Sequence, residues 1–239
     1  MKEKIFRFKQ FAVRNHRSAM KVGTDGVLLG AWCNVERASS VLDVGTGTGV
    51  IALMVAQRNA TAIIDAVEID AEACSEARSN FLASPWAGRL AVAHGDFLHY
   101  AAECGKKYDL IVSNPPYFTE DTTSCDPRRA TARHTSVALT YSALIHAAGT
   151  LLAAAGRLCI ISPVEREDEI IGAARECGLA VARRLTVLPK PGVAAKRTLW
   201  ELSAAATATQ EEELTIETAV PGQYTQQYVA LTRDYNLKM

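Results

Sequence analysis

Several features that would direct its reading elsewhere are missing from this 239-residue chain. Its six cysteines, Cys33, Cys74, Cys104, Cys125, Cys159 and Cys177, include no C-x-x-C pair, so neither zinc-site spacing nor a disulfide framework is suggested. His16, His94, His99 and His146 show no ligand spacing either, and no metal is expected. No stretch approaches the roughly 20 uninterrupted apolar residues of a membrane helix, and the opening "MKEKIFRFKQFAVRNHRSAMK" lacks the apolar core of a secretory signal. A cytoplasmic protein without membrane association is the expectation. Internal repeats are absent, and the length suits one domain spanning 1–239.

There is no net charge, because 26 basic residues face 26 acidic ones, but the distribution is uneven. Lys2, Lys4, Arg7, Lys9, Arg14, Arg17 and Lys21 are opposed only by Glu3 in the first 21 residues. Phe6, Phe8 and Phe11 are interleaved with them, a mixture that suits phosphate contact together with base stacking. Residues 1–39 therefore read as a basic, aromatic extension that contributes to ligand and nucleic-acid binding. A solvated edge strand with inward-packed phenylalanines is the competing reading.

From Ser40 onward, short apolar runs alternate with helix-period segments: "VLDVG" then "GVIALMVAQRN", "AIIDAVEID" then "AEACSEARSNFLA", and so on to "RLCIISP" and "EREDEIIGAARECG". This alternation predicts βαβ units, a mostly parallel sheet and a three-layer α/β sandwich. Gly156 and Gly178 are expected where helices stop. "LAVARRLTVLP" and "KRTLWELSA", joined by "KPGVAA", predict an antiparallel C-terminal hairpin. "AAATATQEEE", residues 204–213, reads as a connecting loop. The segment 118–136 has no periodicity and reads as a binding loop or lid.

Three features fall on successive strand ends. "DVGTGTG" places Asp43 before Gly45, Gly47 and Gly49, a G-x-G-x-G turn one residue shorter than the dinucleotide fingerprint. An acid ahead of a bare backbone turn suits a ligand bearing an ammonium group better than one bearing phosphates. Glu68 closes the next strand, where a carboxylate can accept from both ribose hydroxyls, and Asp96 follows another, placed for an adenine amino group. Open parallel sheets bind ligands along this edge.

"DVGTGTG", the "VEID" acid, the "GDF" aspartate and "NPPY", in that order, resemble the class I S-adenosylmethionine-dependent methyltransferases that act on amino nitrogens. "FKQFAVRNHRSAMKVGTDGVLLGAW", "SPW" and the ending "YTQQYVALTRDYNLKM" are similar to the bacterial tRNA1(Val) adenine-N6 methyltransferase family, over about residues 8–239. The resemblance implies a Rossmann-like methyltransferase fold. It also implies S-adenosyl-L-methionine as cofactor, S-adenosyl-L-homocysteine as product, and the adenine 3′ of the anticodon (position 37) of a valine tRNA as substrate, with no obligate protein partner evident. By position it puts Asp43, Gly45, Gly47 and Gly49 around the methionine moiety, Glu68 at the ribose, and Asp96 with the Phe97 backbone at the cofactor's adenine. Lys21, Thr24 and Asp25 would stand near the amino-acid end, and Asn114, Pro115, Pro116 and Tyr117 would hold the target base.

An exocyclic adenine nitrogen is a poor nucleophile, since its lone pair is delocalised into the ring. The Asn114 side-chain oxygen and the Pro115 carbonyl, stiffened by adjacent prolines, offer two acceptors for its hydrogens as positive charge develops. Asn114 also borders the cofactor. Tyr117 offers a stacking face, with Phe118 beside it, and Arg128, Arg129, Arg133 and His134 in the long loop are candidate RNA contacts, with Arg183, Arg184, Lys190, Lys196 and Arg197 as further ones. N-P-P-Y also suits methylation of glutamine side chains in proteins or of adenine in DNA or rRNA, and a cofactor-binding RNA module without activity is the non-enzymatic alternative.

Overall fold

The computed structural model describes residues 5–18, 20–116 and 139–237. Among them an eight-stranded sheet in the order β10-β8-β9-β7-β6-β3-β4-β5 carries helices on both faces. The chain enters through a small antiparallel hairpin, β1 (Ile5–Arg7) and β2 (Ala12–Arg14), and then α1 (Thr24–Trp32). It builds one half of the sheet from β3 (Ser40–Val44), β4 (Ile63–Glu68) and β5 (Leu90–His94), connected by α2 (Val50–Arg58) and α3 (Ala71–Leu82). After α4 (Phe97–Glu103) it crosses back to lay β6 (Tyr108–Ser113) on the other side of β3. Then follow α5 (Tyr141–Leu151), β7 (Leu152–Pro163), α6 (Glu167–Glu176), β8 (Ala180–Leu188), β9 (Arg197–Ser203), β10 (Gln210–Thr215) and α7 (Gln226–Thr232).

β9 alone runs against its neighbours β7 and β8, so the expected antiparallel hairpin is present within an otherwise parallel sheet. The unbroken apolar runs of β6 and β7 are explained by burial on both faces. Leu110 and Val112 join one core cluster with α1, α2 and α3, while Tyr108 and Ile111 join the other with α4, α5 and α6. Helix starts follow local chemistry: Asp70, Thr140 and Thr225 each accept a backbone N–H of the first turn, contacts worth about 1 kcal/mol apiece.

Two expectations are corrected. Gly156 does not end a helix: α5 stops at Leu151, and Gly156 lies inside β7, where a Cβ would stand 2.7 Å from the Tyr108 carbonyl oxygen. Pairing with β6, with a register shift between Tyr108 and Leu110, overrides the helix preference of the preceding alanines. Within residues 204–213, the part from Gln210 onward is strand, not loop. Its glutamates are matched by arginines on β8: Glu212 bonds Arg183 and the Trp32 indole, and Glu211 bonds Arg184. Gly178, by contrast, ends α6 with φ +69° as expected.

The segments around Phe8 and Tyr235 meet. Lys9 N–H donates to the Tyr235 carbonyl at 2.8 Å, Phe8 bridges Asn236, and the buried Tyr235 ring reaches the Met54 carbonyl.

Candidate active site

β3, β4, β5 and β6 are parallel neighbours, so their carboxyl ends form one edge, and the crossover from β5 back to β6 makes β3/β6 the point at which connections diverge. A crevice at such a point is where an open sheet takes its ligand. The Ser113 hydroxyl donates to the Val44 carbonyl at 2.9 Å and fixes the spacing of those two ends.

The glycine loop leaves β3 and enters α2. Gly45, Gly47 and Gly49 adopt φ +67°, +57° and +83°, the left-handed region that side chains disfavour. Gly49 packs on the Phe81 ring so closely that a Cβ has no room, whereas nothing lies within 4 Å of a Cβ placed at Gly45. The loop therefore has a packed end and an open end. Its amides are tied to β4: Gly45 and Thr46 N–H donate to the Val67 carbonyl, and Gly47 N–H donates to Glu68 Oε2 at 2.7 Å.

Asp43 is buried at the start of this turn. Its Oδ2 accepts from Thr46 Oγ1 at 2.6 Å and from Ala52 N–H at 3.1 Å, while its Oδ1 is buried with no partner among the described residues. Burial pushes the carboxyl up to about 7, against the pull of those two hydrogen bonds and helped by the neighbouring charge of Glu68. Glu68 is also raised, first by burial, although Asp70 and Gly47 N–H groups stabilise its charge. Glu68 Oε1 accepts from Asp70 N–H and Oε2 from Gly47 N–H, and a carboxylate has lone pairs beyond these to offer a ligand.

Asp96 caps α4, with Oδ1 accepting from His99 N–H at 3.0 Å, and Gly95 N–H bonds the Glu68 carbonyl, so the "GDF" segment adjoins the glycine loop's partner strand. Phe97 is buried. On the other side Asn114 is half-buried and Pro115 buried directly after β6, while Pro116 is exposed. The start of α1 fits between the loop and Asn114: a Cβ at Gly26 would lie 3.6 Å from Val50 and 3.9 Å from Asn114 Nδ2. That places Thr24 and Asp25 on the same edge. Asp25 pairs with Arg197 at 2.9 Å, and Lys21 Nζ donates to the His16 and Ser18 carbonyls. Tyr117, Phe118, Arg128, Arg129, Arg133 and His134 lie outside the described residues. Arg183, Arg184 and Lys190, considered as phosphate contacts, form ion pairs with Glu201 and Glu212, with Glu167 and Glu211, and with Glu217.

Comparison with known proteins decides the family. Residues 18–169 match the family described as Methyltransferase small domain. A tRNA1(Val) (adenine(37)-N6)-methyltransferase of Parabacteroides distasonis is 44% identical over 240 residues, covering all of both chains. One from Trichodesmium erythraeum is 45% identical over 98% of each. This chain belongs to the tRNA1(Val) (adenine(37)-N6)-methyltransferase family. Among solved structures, the fold of this methyltransferase is similar to that of a predicted O-methyltransferase from Agrobacterium tumefaciens, with TM-score 0.67 and 22% identity over 88% of this chain and 96% of that one. A putative RNA methyltransferase from Pyrococcus horikoshii follows at TM-score 0.54 and 20% identity, over 78% and 85%. The fold is therefore that of the class I methyltransferases.

Polar residues that hold the methyltransferase site together were missed in the sequence. Glu76 and Asn80 are each 2% exposed, and Ser18, Thr46 and Thr48 are buried beside the glycine loop. A signal existed: Glu76 and Asn80 lie one helical turn apart and share the inward face of α3 with Ala73 and Ala77.

Proposed function

We propose that this chain transfers a methyl group from S-adenosyl-L-methionine to N6 of the adenine 3′ of the anticodon, position 37, in tRNA1(Val), leaving S-adenosyl-L-homocysteine. One observation carries the reading: the buried Oδ1 of Asp43, without a partner among the described residues, and the open face of Gly45 stand at the end of β3, beside the strand end that presents Asn114 and Pro115. An ammonium group satisfies such an oxygen, and a bare glycine backbone admits close approach, so the residues fit an amino-acid-bearing cofactor. Asp43 would hold its amino group, Glu68 its ribose hydroxyls, and Asp96 with the Phe97 backbone its adenine. Lys21 contributes by bracing residues 16–18, and Thr24 and Asp25 by forming the wall between the loop and Asn114.

When bound, S-adenosylmethionine supplies an electrophilic methyl on a sulfonium. Asn114 Oδ1 and the Pro115 carbonyl accept hydrogen bonds from the target amino group as its nitrogen becomes tetrahedral and positive. Pro115 and Pro116 fix φ on both sides of that carbonyl, so the acceptors keep their direction as charge develops. Tyr117 stacks on the base, worth roughly 1–3 kcal/mol. Alignment of nucleophile and methyl replaces a bimolecular encounter and can supply roughly 7–11 kcal/mol. An adenine in an anticodon loop is splayed out at less expense than one in a duplex. The basic N-terminal hairpin, with Ile5 and Phe6 exposed beside Arg7, and Arg128, Arg129 and Arg133 grip the RNA. A tRNA substrate puts the enzyme's work in the cytoplasm.

The test is mass spectrometry of nucleosides from tRNA1(Val) incubated with the purified protein and S-adenosylmethionine. N6-methyladenosine at position 37, absent from a transcript with another base there, is expected. Methyl incorporation into protein without RNA, or cofactor binding without transfer, would overturn the reading.

A further inference from the structure

Three successive backbone amides of the N-terminal segment converge on one buried carboxylate. His16 and Arg17 N–H donate to Glu76 Oε1 and Ser18 N–H to Oε2, each at 2.9 Å, and His16 Nδ1 lies 3.0 Å from Oε1. One turn along α3, Asn80 completes the attachment: its Oδ1 accepts from Arg14 N–H at 2.8 Å, and its Nδ2 donates to the Arg14 carbonyl at 3.1 Å and to the Thr48 carbonyl at 2.8 Å. Residues 14–18 thus form a strap held from below by α3. Its far end meets the glycine loop, with Ser18 Oγ 3.6 Å from the position of a Cβ on Gly47. Lys21 braces the strap from above through the His16 and Ser18 carbonyls.

We propose that Glu76 and Asn80 are positioning residues of the cofactor site, laying the strap against the glycine loop so that Ser18 and Gly47 form facing walls at the cofactor's amino-acid end. This rests on the cofactor reading above. The physical reason lies in α3 itself: it begins three residues after Glu68, whose carboxylate holds Gly47, so one rigid helix indexes both the loop and the strap that faces it. A carboxylate that only needed satisfaction could take one or two donors. Three consecutive charge-assisted bonds instead fix the path of a segment that, beyond Arg14, pairs with no strand among the described residues.

Glu76→Gln is nearly isosteric but presents one carbonyl oxygen and one NH₂ to three N–H donors. The test measures S-adenosylhomocysteine binding by calorimetry and amide exchange of residues 14–18, in parent and variant. In the parent, ligand saturation should slow strap exchange. In Glu76→Gln, strap exchange should accelerate, and the dissociation constant should rise roughly tenfold, as loss of bonds to a charged acceptor predicts. The KM for S-adenosylmethionine should rise by more than kcat falls. Faster strap exchange with unchanged affinity would overturn the proposal, leaving the strap merely structural, as would ligand saturation that leaves the parent's strap exchange unaltered. If Glu76→Gln does not fold, Asn80→Asp, which keeps the acceptor for Arg14 N–H but loses the donor to the Arg14 and Thr48 carbonyls, must weaken the ligand in the same sense. A parent that binds no S-adenosylhomocysteine would overturn the cofactor reading itself, whereas a binding parent with unaffected variants overturns only the strap.

Discussion

Ser113 Oγ donates to the carbonyl oxygen of Val44 across 2.9 Å, tying together the last paired residues of the strand that leads to Asn114 and the one that leads to the glycine loop. Ser113→Ala leaves a buried carbonyl short of a partner, a loss of about 1–3 kcal/mol in stability. Thermal melting should fall accordingly. Turnover should fall more than cofactor affinity, since the acceptor pair then floats relative to the methyl donor.

Asn114→Ala tests the acceptor proposed for the target amino group. Removal of a donor or acceptor aimed at developing charge lowers kcat by roughly 10²–10³-fold. S-Adenosylhomocysteine affinity should change by less than about threefold, because the bond gains its strength in the transition state. A variant that turns over like the parent refutes the assigned role.

Asp43 gives the protein a pH signature. Its carboxyl stands at about 7 in the fold against an ordinary 3.8, so between these values the folded chain holds a proton that the unfolded chain has released. Its contribution to stability is therefore present at low pH and lost as pH rises toward about 7, then level above it. Denaturant midpoints of the ligand-free protein should show this slope, and Asp43→Asn should remove Asp43's share of it. A cationic amino group beside Oδ1 favours the ionised form. Ligand binding should accordingly release a proton, and affinity should rise about tenfold from pH 6 to pH 8 in the parent but not in Asp43→Asn.

Gly49→Ala combines a φ of +83° with a Cβ driven into the Phe81 ring. The expected loss is at least about 2 kcal/mol, or roughly 4–8 °C in Tm. Gly45→Ala has the same backbone strain but open space, so its melting change should be smaller while its effect on cofactor affinity is larger.

The basic N-terminal segment, hairpin and strap together, predicts salt-dependent RNA binding. Arg7→Ala and Arg17→Ala should each weaken tRNA uniformly and flatten the dependence of log affinity on log salt by about one unit. Affinity that barely changes between low and moderate salt would exclude phosphate contact there.

The alternation of apolar runs with helix-period segments made the parallel sheet legible, because full burial writes itself into every position of β6 and β7. Asp43, Glu68 and Asn114 were legible for a related reason: polar residues at the ends of apolar strands are conspicuous. Gly156 and Gln210–Thr215 misled for opposite reasons. Alanines before Gly156 favour helix locally but are drawn into strand by β6, and the β10 glutamates look solvated until Arg183 and Arg184 stand opposite them. Glu76 and Asn80 share an inward helix face, but the strap amides they bind lie 58 or more residues away in sequence, so no local pattern names their partners.

The closure of the chain on itself through Lys9 and Tyr235 has a consequence for biogenesis. The hairpin is seated by residues made much later than itself, so it must wait, unanchored on that side, until the segment beyond Thr232 has been made. Nascent chains halted earlier would carry a finished sheet and glycine turn yet have their basic, aromatic head adrift, and such fragments should be nicked by proteases first within the hairpin, ahead of the Arg14 that Asn80 holds.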